Sequence, residues 1–353
     1  MNIIIRIICC LVITGNLMAQ NSYELIWSDE FDYVGLPDPV KWSYDIGDGC
    51  PNVCGWGNNE LEYYTEGRLE NARVEDGNLI ITAIKEDFGT KNYSSARLVT
   101  RDKGDWTYGR IEVRADLPSG KGTWPAIWML PTDWSYGGWP DSGEIDVMEH
   151  VGYEPDQIYG TVHTKAFNHA IGTQKGGDIV IADCEEEFHT YAIEWSHSKI
   201  DFFVDENKYY SFSKIAGSDT WPFDQRFHLI LNFAVGGNWG GVQGVAKDIF
   251  PQEMKVDYVR VYQLISNVNK KGGTGELMLF PNPVKSRRFT IQTDTPYQDE
   301  IKIYDVSGNQ IDYQMYINEE SVEVHLGNES SQMLLVSLVD NTGVVSSGKV
   351  FVY

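Results

Sequence analysis

Basic residues are scarce in this chain. It has 28 Lys and Arg against 51 Asp and Glu, a formal net charge of −23. Nucleic acid and anionic membranes both need a basic face, so this balance argues against either partner. Cysteine is scarce too, with 5 in 353 residues. Cys9 and Cys10 fall in an N-terminal apolar run, which leaves Cys50, Cys54 and Cys184. An odd count in an exported chain leaves at least one free thiol. Cys50 and Cys54 are near enough in sequence to close a small loop, and the sequence leaves their bonding open. No second Cys pair or His pair completes four zinc ligands. No stretch has the caps and period of a long helix. The one long apolar run, Ile7–Ile13, is too short to anchor the chain across a bilayer. Charged residues make up only 22 %, which excludes a mainly disordered chain. Aromatics are abundant instead, with 11 Trp and 20 Tyr, and there are 34 Gly. That mixture suits an all-β protein, and flat aromatic faces suit the weakly polar faces of sugar rings. At 42 % hydrophobic, the chain can fill a large core.

Residues 1–19 read as a signal peptide, with Arg6 before the apolar run and Ala19 at the cleavage point. Strand signals dominate the chain beyond it: Asn78–Lys85, Tyr108–Ala115, Thr190–Trp195, Ile200–Val204, Arg226–Ala234 and Met254–Gln263. They are rich in β-branched and aromatic residues, and Gly, Asn and Asp clusters separate them. Many short strands indicate a sandwich or barrel. Residues 266–275, polar and Gly-rich, read as a linker that closes a domain spanning 20–265. A smaller β-rich unit occupies 276–353, with strand candidates Arg288–Thr293, Glu300–Val306, Ser321–Leu326 and Met333–Val339.

One segment carries chemistry: Asp141-Ser-Gly-Glu144-Ile-Asp146-Val-Met-Glu149-His150. Alternate residues of a strand face one side, so Glu144 and Asp146 share a face and Glu149 faces away. A β-bulge at Val147–Met148 would return Glu149 to the acid face and leave Ile145 and one of Val147 or Met148 in the core. Three acids on one face repel, and a purely structural sheet gains nothing from that. Crowding raises a carboxyl pKa, which is what a proton donor near neutral pH requires. Glycoside cleavage uses two carboxyls, about 5–5.5 Å apart when configuration is retained. A solvated acidic edge or a metal site are the plainer readings. His150 would point off the acid face, which weakens the metal reading.

Gly143-Glu144-Ile-Asp146-Val-Met-Glu149 resembles the E-x-D-x-x-E signature of glycoside hydrolase family 16, in the laminarinase-like, endo-β-1,3-glucanase form. The resemblance runs over about Tyr23–Leu264. It includes Trp27-Ser-Asp-Glu-Phe31, Gly55-Trp-Gly-Asn-Asn-Glu60, Ser95-Ala-Arg97-Leu98, Trp124-Pro-Ala-Ile-Trp-Met-Leu130, Thr161-Val-His163, Phe188–Trp195 and Asn232–Gly241, in the family's order. It implies a β-jelly-roll sandwich, of the concanavalin A-like kind, with a sugar cleft on one face. Glu144 would be the nucleophile, Glu149 the general acid and then base, and Asp146 the residue that tunes Glu144. The activity implied is secreted endo-β-glucanase action on β-1,3-glucan, with mixed β-1,3/1,4-glucan as a further substrate. Other polysaccharides such as agar, carrageenan or xyloglucan, or glucan binding without catalysis, are the alternatives. Both glutamates are present, which favours an enzyme. Met148 and the Gly236-Gly237-Asn238-Trp239 loop favour a laminarin-like polymer.

Trp124, Trp128, Trp139 and Trp239 are candidate sugar platforms, although any one of them can equally be core. Trp124 and Trp128 share strand parity. The resemblance gives Asn58 and Arg97 sugar contacts on the non-reducing side of the cut, with a structural ion pair as the other reading of Arg97. It places His163 near the reaction centre, with a satisfied core histidine as the other reading. It also implies a structural calcium on the far face, held by Glu30, the Gly77 carbonyl and Asp257, and no cofactor for catalysis. Oxygen ligands from separate strands suit such a hard cation. The final unit, from Leu279-Phe-Pro-Asn-Pro283 through Ile301–Asn309 to Gly348–Tyr353, resembles the C-terminal sorting domain of type IX secretion substrates. It implies export through the periplasm to the medium or cell surface by that machinery. A small carbohydrate-binding module is the alternative, but no Trp occurs after Trp239. The expected working state is a monomer.

Overall fold

In the computed structural model the chain is described continuously over residues 22–265. Of the tail, residues 279–280, 282, 284, 287–292, 300–305, 310–317, 321–327, 332–339 and 345–352 are described. The signal peptide and the linker expected from the sequence lie outside these residues. Two units separate, Tyr23–Leu264 and a C-terminal one beginning at Ile265.

The larger unit has two eight-stranded sheets. One runs in the order Asn207–Ser213, Lys199–Val204, His189–Trp195, Gly109–Asp116, Gln252–Ile265, Asn78–Ala83, Ala72–Glu75, with Ser22–Asp29 also paired to Gln252–Ile265. The other runs Lys175–Val180, Gln157–His163, Glu144–Glu149, Thr123–Pro131, Phe227–Val235, Arg97–Val99, Ser43–Tyr44, with Asp105–Trp106 also paired to Phe227–Val235. Hairpin neighbours alternate with long crossovers, such as His189–Trp195 beside Gly109–Asp116 and Thr123–Pro131 beside Phe227–Val235, as in a jelly roll. Period-two alternation explains the packing. Ile127 and Met129 of Thr123–Pro131 enter the core, while Trp124, Ala126 and Trp128 point to the opposite side. Leu229, Leu231 and Phe233 do the same on the adjoining strand, and Ile111, Val113, Ile193 and Val261 meet them from the first sheet. Truncating one of these fully buried aliphatics to Ala would cost about 2–5 kcal/mol.

Among the described residues, the helical segments are two short 3-10 turns, Cys54–Gly57 and His169–Ile171, and no helix is long and apolar enough to cross a membrane. Cys50 and Cys54 are disulfide-bonded, and Cys184 is free and buried. Every strand read from the sequence is present within a few residues. The Lys175–Val180 strand was not legible, because Lys-Gly-Gly-Asp carries no apolar alternation.

The C-terminal unit is also β-rich. Leu279–Phe280, Arg288–Gln292, Ser321–Leu326 and Tyr313–Ile317 form one sheet, and Glu300–Asp305, Gln332–Val339 and Val345–Val352 another. Phe289, Ile291, Ile303, Val322, Leu334 and Val350 belong to its own buried cluster.

Candidate active site

The second sheet turns its outer face to an open cleft, floored by Trp124, Ala126, Trp128, Asn232 and Ala234 and walled by Trp56, Asn58, Glu60 and Arg97. Glu144, Asp146 and Glu149 line the same cleft.

The acids gather there through a local irregularity. Against Gln157–His163, Glu144 pairs with His163 and Asp146 with Thr161, but Glu149 pairs with Tyr159. Three steps on the acid strand therefore match two on its neighbour. On the other side Ile127 pairs with Met148 and Trp128 with Asp146, so Val147 is the extra residue. This is the expected bulge. One detail differs from the sequence reading. Both Val147 and Met148 are buried in the core, not one of them. The extra residue bends the strand so that neither apolar side chain faces water.

Indole donors hold the outer acids. The Trp139 Nε1–H donates to Glu144 Oε2 at 2.8 Å, and the Trp124 Nε1–H donates to Glu149 Oε1 at 3.2 Å. His163 Nε2 lies 3.2 Å from Asp146 Oδ2 and 3.6 Å from Glu144 Oε1. Burial pushes the Glu144 carboxyl up to about 8, helped by the Asp146 charge and opposed by His163 and the Trp139 N–H. Burial likewise takes Asp146 to about 8. Glu149 is raised well above the usual carboxylate range by burial and then by the Asp146 charge, with Glu144 adding to it. The three cannot all ionise together near neutral pH, so the cluster keeps a proton to give.

The other expected residues divide. Arg97 makes the ion pair of its structural reading and also lines the cleft. Its Nε donates to Asp45 Oδ2 at 3.1 Å, and its guanidinium lies between the rings of Trp56 and Trp128, 4.5 and 4.6 Å from their centroids. Asn58 lines the cleft and donates to Glu60 Oε1 at 3.2 Å. Trp139, 37 % exposed, stands over the reaction side beside His163 and His169. Trp239 packs edge-on against Trp124 and Tyr159, so it backs the floor more than it faces a sugar. His150 points away as expected, its Nδ1 2.9 Å from the Gln157 carbonyl and its Nε2 2.9 Å from Glu185 Oε1.

Three polar or aromatic residues of the wall and floor, Trp56, Glu60 and Asn232, were not singled out from sequence, nor was His169 beside Trp139. Asn232 had a signal, as the one amide in the otherwise apolar stretch Leu229–Val235. Its Oδ1 accepts the Trp128 indole N–H at 2.7 Å. Trp56 and Glu60 lay inside a quoted segment. Their placement depends on a left-handed run at Gly55, Trp56 and Gly57 that no periodicity announces.

The calcium ligands do not assemble as expected. Asp257 comes directly after Val256, which pairs with Leu79 two residues beyond Gly77, so these positions adjoin on one sheet. Guanidinium groups take both oxygens of Glu30 and one of Asp257, however. Glu30 takes Arg260 through both oxygens, at 3.0 and 2.7 Å, and Asp257 Oδ2 takes Arg114 at 2.5 Å. An oxygen cage for a hard cation needs uncommitted carboxylates, so this donor set does not fit the ion as it stands.

A jelly roll whose outer face gathers buried carboxyls under indole platforms, beside a guanidinium, defines a glycoside hydrolase. Residues 59–260 match the family described as "Glycosyl hydrolases family 16". The chain is 58 % identical over 251 residues to "Beta-glucanase" of Rhodothermus marinus, covering 69 % of this chain and 86 % of that one. It is 40 % identical over 264 residues to "Glucan endo-1,3-beta-glucosidase" of Cryptopygus antarcticus, covering 69 % and 93 %. The solved laminarinase of Rhodothermus marinus superimposes with a TM-score of 0.67 at 57 % identity, over 69 % of this chain and 99 % of that one. The protein belongs to glycoside hydrolase family 16. Residues 278–352 match the family described as "Secretion system C-terminal sorting domain", which marks the chain for export to the medium or the cell surface.

Proposed function

We propose that this family 16 hydrolase is a retaining endo-β-glucanase. Its substrate is β-1,3-glucan of the laminarin type and, more slowly, mixed β-1,3/1,4-glucan. The observation that carries the reading is the extra residue at Val147, which sets Glu149 in one cleft with Glu144 and Asp146. The relatives named for β-glucan and β-1,3-glucan hydrolysis support the choice of polymer.

In this reading Glu149 holds the proton of the resting cluster, because burial and two like charges raise it well above the usual carboxylate range. It protonates the glycosidic oxygen as the bond from that oxygen to the anomeric carbon breaks. Glu144, oriented by the Trp139 N–H, forms a new bond to the same carbon from the other face. Glu149, now ionised, takes a proton from water. The water oxygen displaces Glu144 and restores the starting configuration. Asp146 and His163 hold the Glu144 carboxylate in place and share its charge. Trp124 and Trp128 offer faces to the rings, and Asn58 and Arg97 bind hydroxyls on the non-reducing side. Trp139 and His163 meet the reaction side, and Trp239 supports Trp124. The enzyme acts as a monomer after passage through the periplasm.

The test is digestion of laminarin, lichenan and agarose side by side, with products resolved by size and anomer. Short β-anomeric oligosaccharides should appear first from laminarin, then from lichenan, and none from agarose. Glu144→Ser run in parallel should release none. Fastest cleavage of agarose, or α-anomers at early times, would overturn the assignment.

A further inference from the structure

Two buried acids of the cleft have no part in the reaction above. Glu60 lines the cleft with both carboxylate oxygens engaged. Oε1 accepts from Asn58 Nδ2 at 3.2 Å, and Oε2 accepts from the Tyr64 hydroxyl at 3.2 Å. The Tyr64 oxygen in turn accepts from Asn232 Nδ2 at 2.9 Å, and Asn232 Oδ1 accepts from the Trp128 indole at 2.7 Å. Glu60 is thus the terminus of a chain that reaches two residues of the sugar floor. Glu62 sits behind it, fully buried. Its Oε2 accepts from the Val235 N–H at 2.6 Å, while its Oε1 meets no donor. A buried carboxylate oxygen without a donor bears the full penalty of its lost hydration. Two facing carboxylates in the same dry place cost further repulsion.

One proton on Glu62, donated to Glu60, removes both costs. It satisfies the orphan oxygen and leaves a single charge, which three O–H or N–H groups then stabilise. Among the described residues the surroundings offer no other remedy. Arg97 is a cation whose charge acts on Glu60, and it is paired with Asp45. The Lys91 ammonium is spent on the Glu60 backbone carbonyl at 2.7 Å. The parallel neighbour Tyr93–Ser95 and the strand Phe227–Val235 bring no charge to the pair, and Tyr64 is the titratable group beside it on its own strand. Burial and the Glu60 charge raise Glu62 well above the carboxylate range, in line with this arrangement.

We propose that Glu60 and Glu62 are positioning residues, a buried carboxyl pair sharing one proton, which fixes Asn58 directly and Trp128 through Tyr64 and Asn232. The inference rests on the reading of Asn58 and Trp128 as sugar contacts. Loss of the proton in alkali sets two carboxylates against each other, displaces Glu60 and loosens that floor. Substrate binding then fails on the alkaline side through a group separate from the catalytic acids.

Indole N–H resonances of the full chain, followed from about pH 6 to 10, test the pair without any substrate. Trp128→Phe identifies the relevant signal among the 11 Trp. The Trp128 signal should titrate in the wild type and stay flat in Glu62→Gln, whose amide donates to Glu60 at every pH. In kinetics on laminarin, KM of the wild type should rise about three- to tenfold in alkali, the worth of one hydrogen bond. That rise should vanish in Glu62→Gln while the pH profile of kcat keeps its shape. A Trp128 signal that does not titrate, or one that titrates equally in Glu62→Gln, would overturn the proposal. Should Glu62→Gln not fold, Glu60→Gln decides the matter, because it loses one of two acceptor oxygens. KM should rise with kcat little changed, and a fall confined to kcat would count against the pair. A chain that cleaves no glucan while Trp128 titrates as described would sink the functional reading and leave the pair standing.

Discussion

Glu149 and Glu144 are the same side chain on the same strand, and their surroundings separate them. Each is half-buried and each accepts an indole N–H, but Glu149 is raised by the charges of both Asp146 and Glu144. Folding therefore works against this residue as pH rises. A carboxyl raised in the folded state binds its proton more tightly there than when unfolded. Its stability contribution is complete below the unfolded value, near 4, and is lost as pH climbs through the folded one. With Glu144 and Asp146 pushed up to about 8, the loss falls between about pH 4 and 8. Glu149→Gln removes a charge that the folded cleft disfavours. We expect hydrolysis of laminarin to fall about 10²–10⁴-fold, the usual worth of a general acid. The melting temperature should rise by about 2–4 °C for each kcal/mol recovered, more at about pH 8 than at about pH 5. A variant that loses activity and also melts lower in mild alkali would show that Glu149 is held by favourable contacts and not under strain. At this scale the acids were readable because three carboxylates on one strand have few structural uses. Glu60 and Glu62 were not, since a Glu-Leu-Glu triplet reads as a solvated edge until the fold buries it.

The element that turns three acids into a site is one strand with one residue too many. Glu144–Glu149 sits between Thr123–Pro131 and Gln157–His163, and both neighbours register the same slip. A regular strand would have sent Glu149 into the core among Ile127, Val162 and Met148, where an unpaired carboxylate costs several kcal/mol. Alternation is thus broken where chemistry needs it, and the apolar residues on either side pin the break. The sequence disclosed this element because the acid spacing, two and then three, is incompatible with an unbroken period of two. It did not disclose Lys175–Val180, whose backbone pairs along the edge with little apolar side-chain signal. Deleting Val147 should restore regular alternation with Glu149 two residues after Asp146, still on the cleft face, and Met148 still in the core. We expect measurable hydrolysis of laminarin to survive while far-ultraviolet dichroism stays β-type, and the variant should melt lower because the buried Val147 side chain is lost. Complete loss of activity in a folded variant would mean that the acids depend on the bulge itself and not on the face that it restores.

At the scale of the whole molecule, two β-rich units succeed one another along the chain with separate buried clusters, one centred on residues such as Ile127 and Ile193, the other on Phe289 and Val336. Among the described residues none belongs to both clusters. The three cleft acids, the indoles and the Glu60–Glu62 pair all lie in the first unit. The second matches a sorting family and carries no Trp. The break in composition after residue 265 made this division legible, because a polar, Gly-rich stretch cannot contribute to either core. The identity of each unit came from ordered motifs and not from composition. The labour divides accordingly: hydrolysis belongs to the first unit and delivery to the second. A chain ending at residue 265 should keep kcat and KM on laminarin and the melting temperature of the catalytic unit. Expressed in its own host, it should stay inside the cell envelope, while the full chain reaches the medium or the surface. Mass spectrometry of the exported enzyme should find the peptides of residues 23–264 and lack those of 279–352 if sorting removes the tail. A tail retained in the supernatant and holding the enzyme on insoluble glucan would instead make the second unit a binding module, and truncation would then raise KM on that polymer.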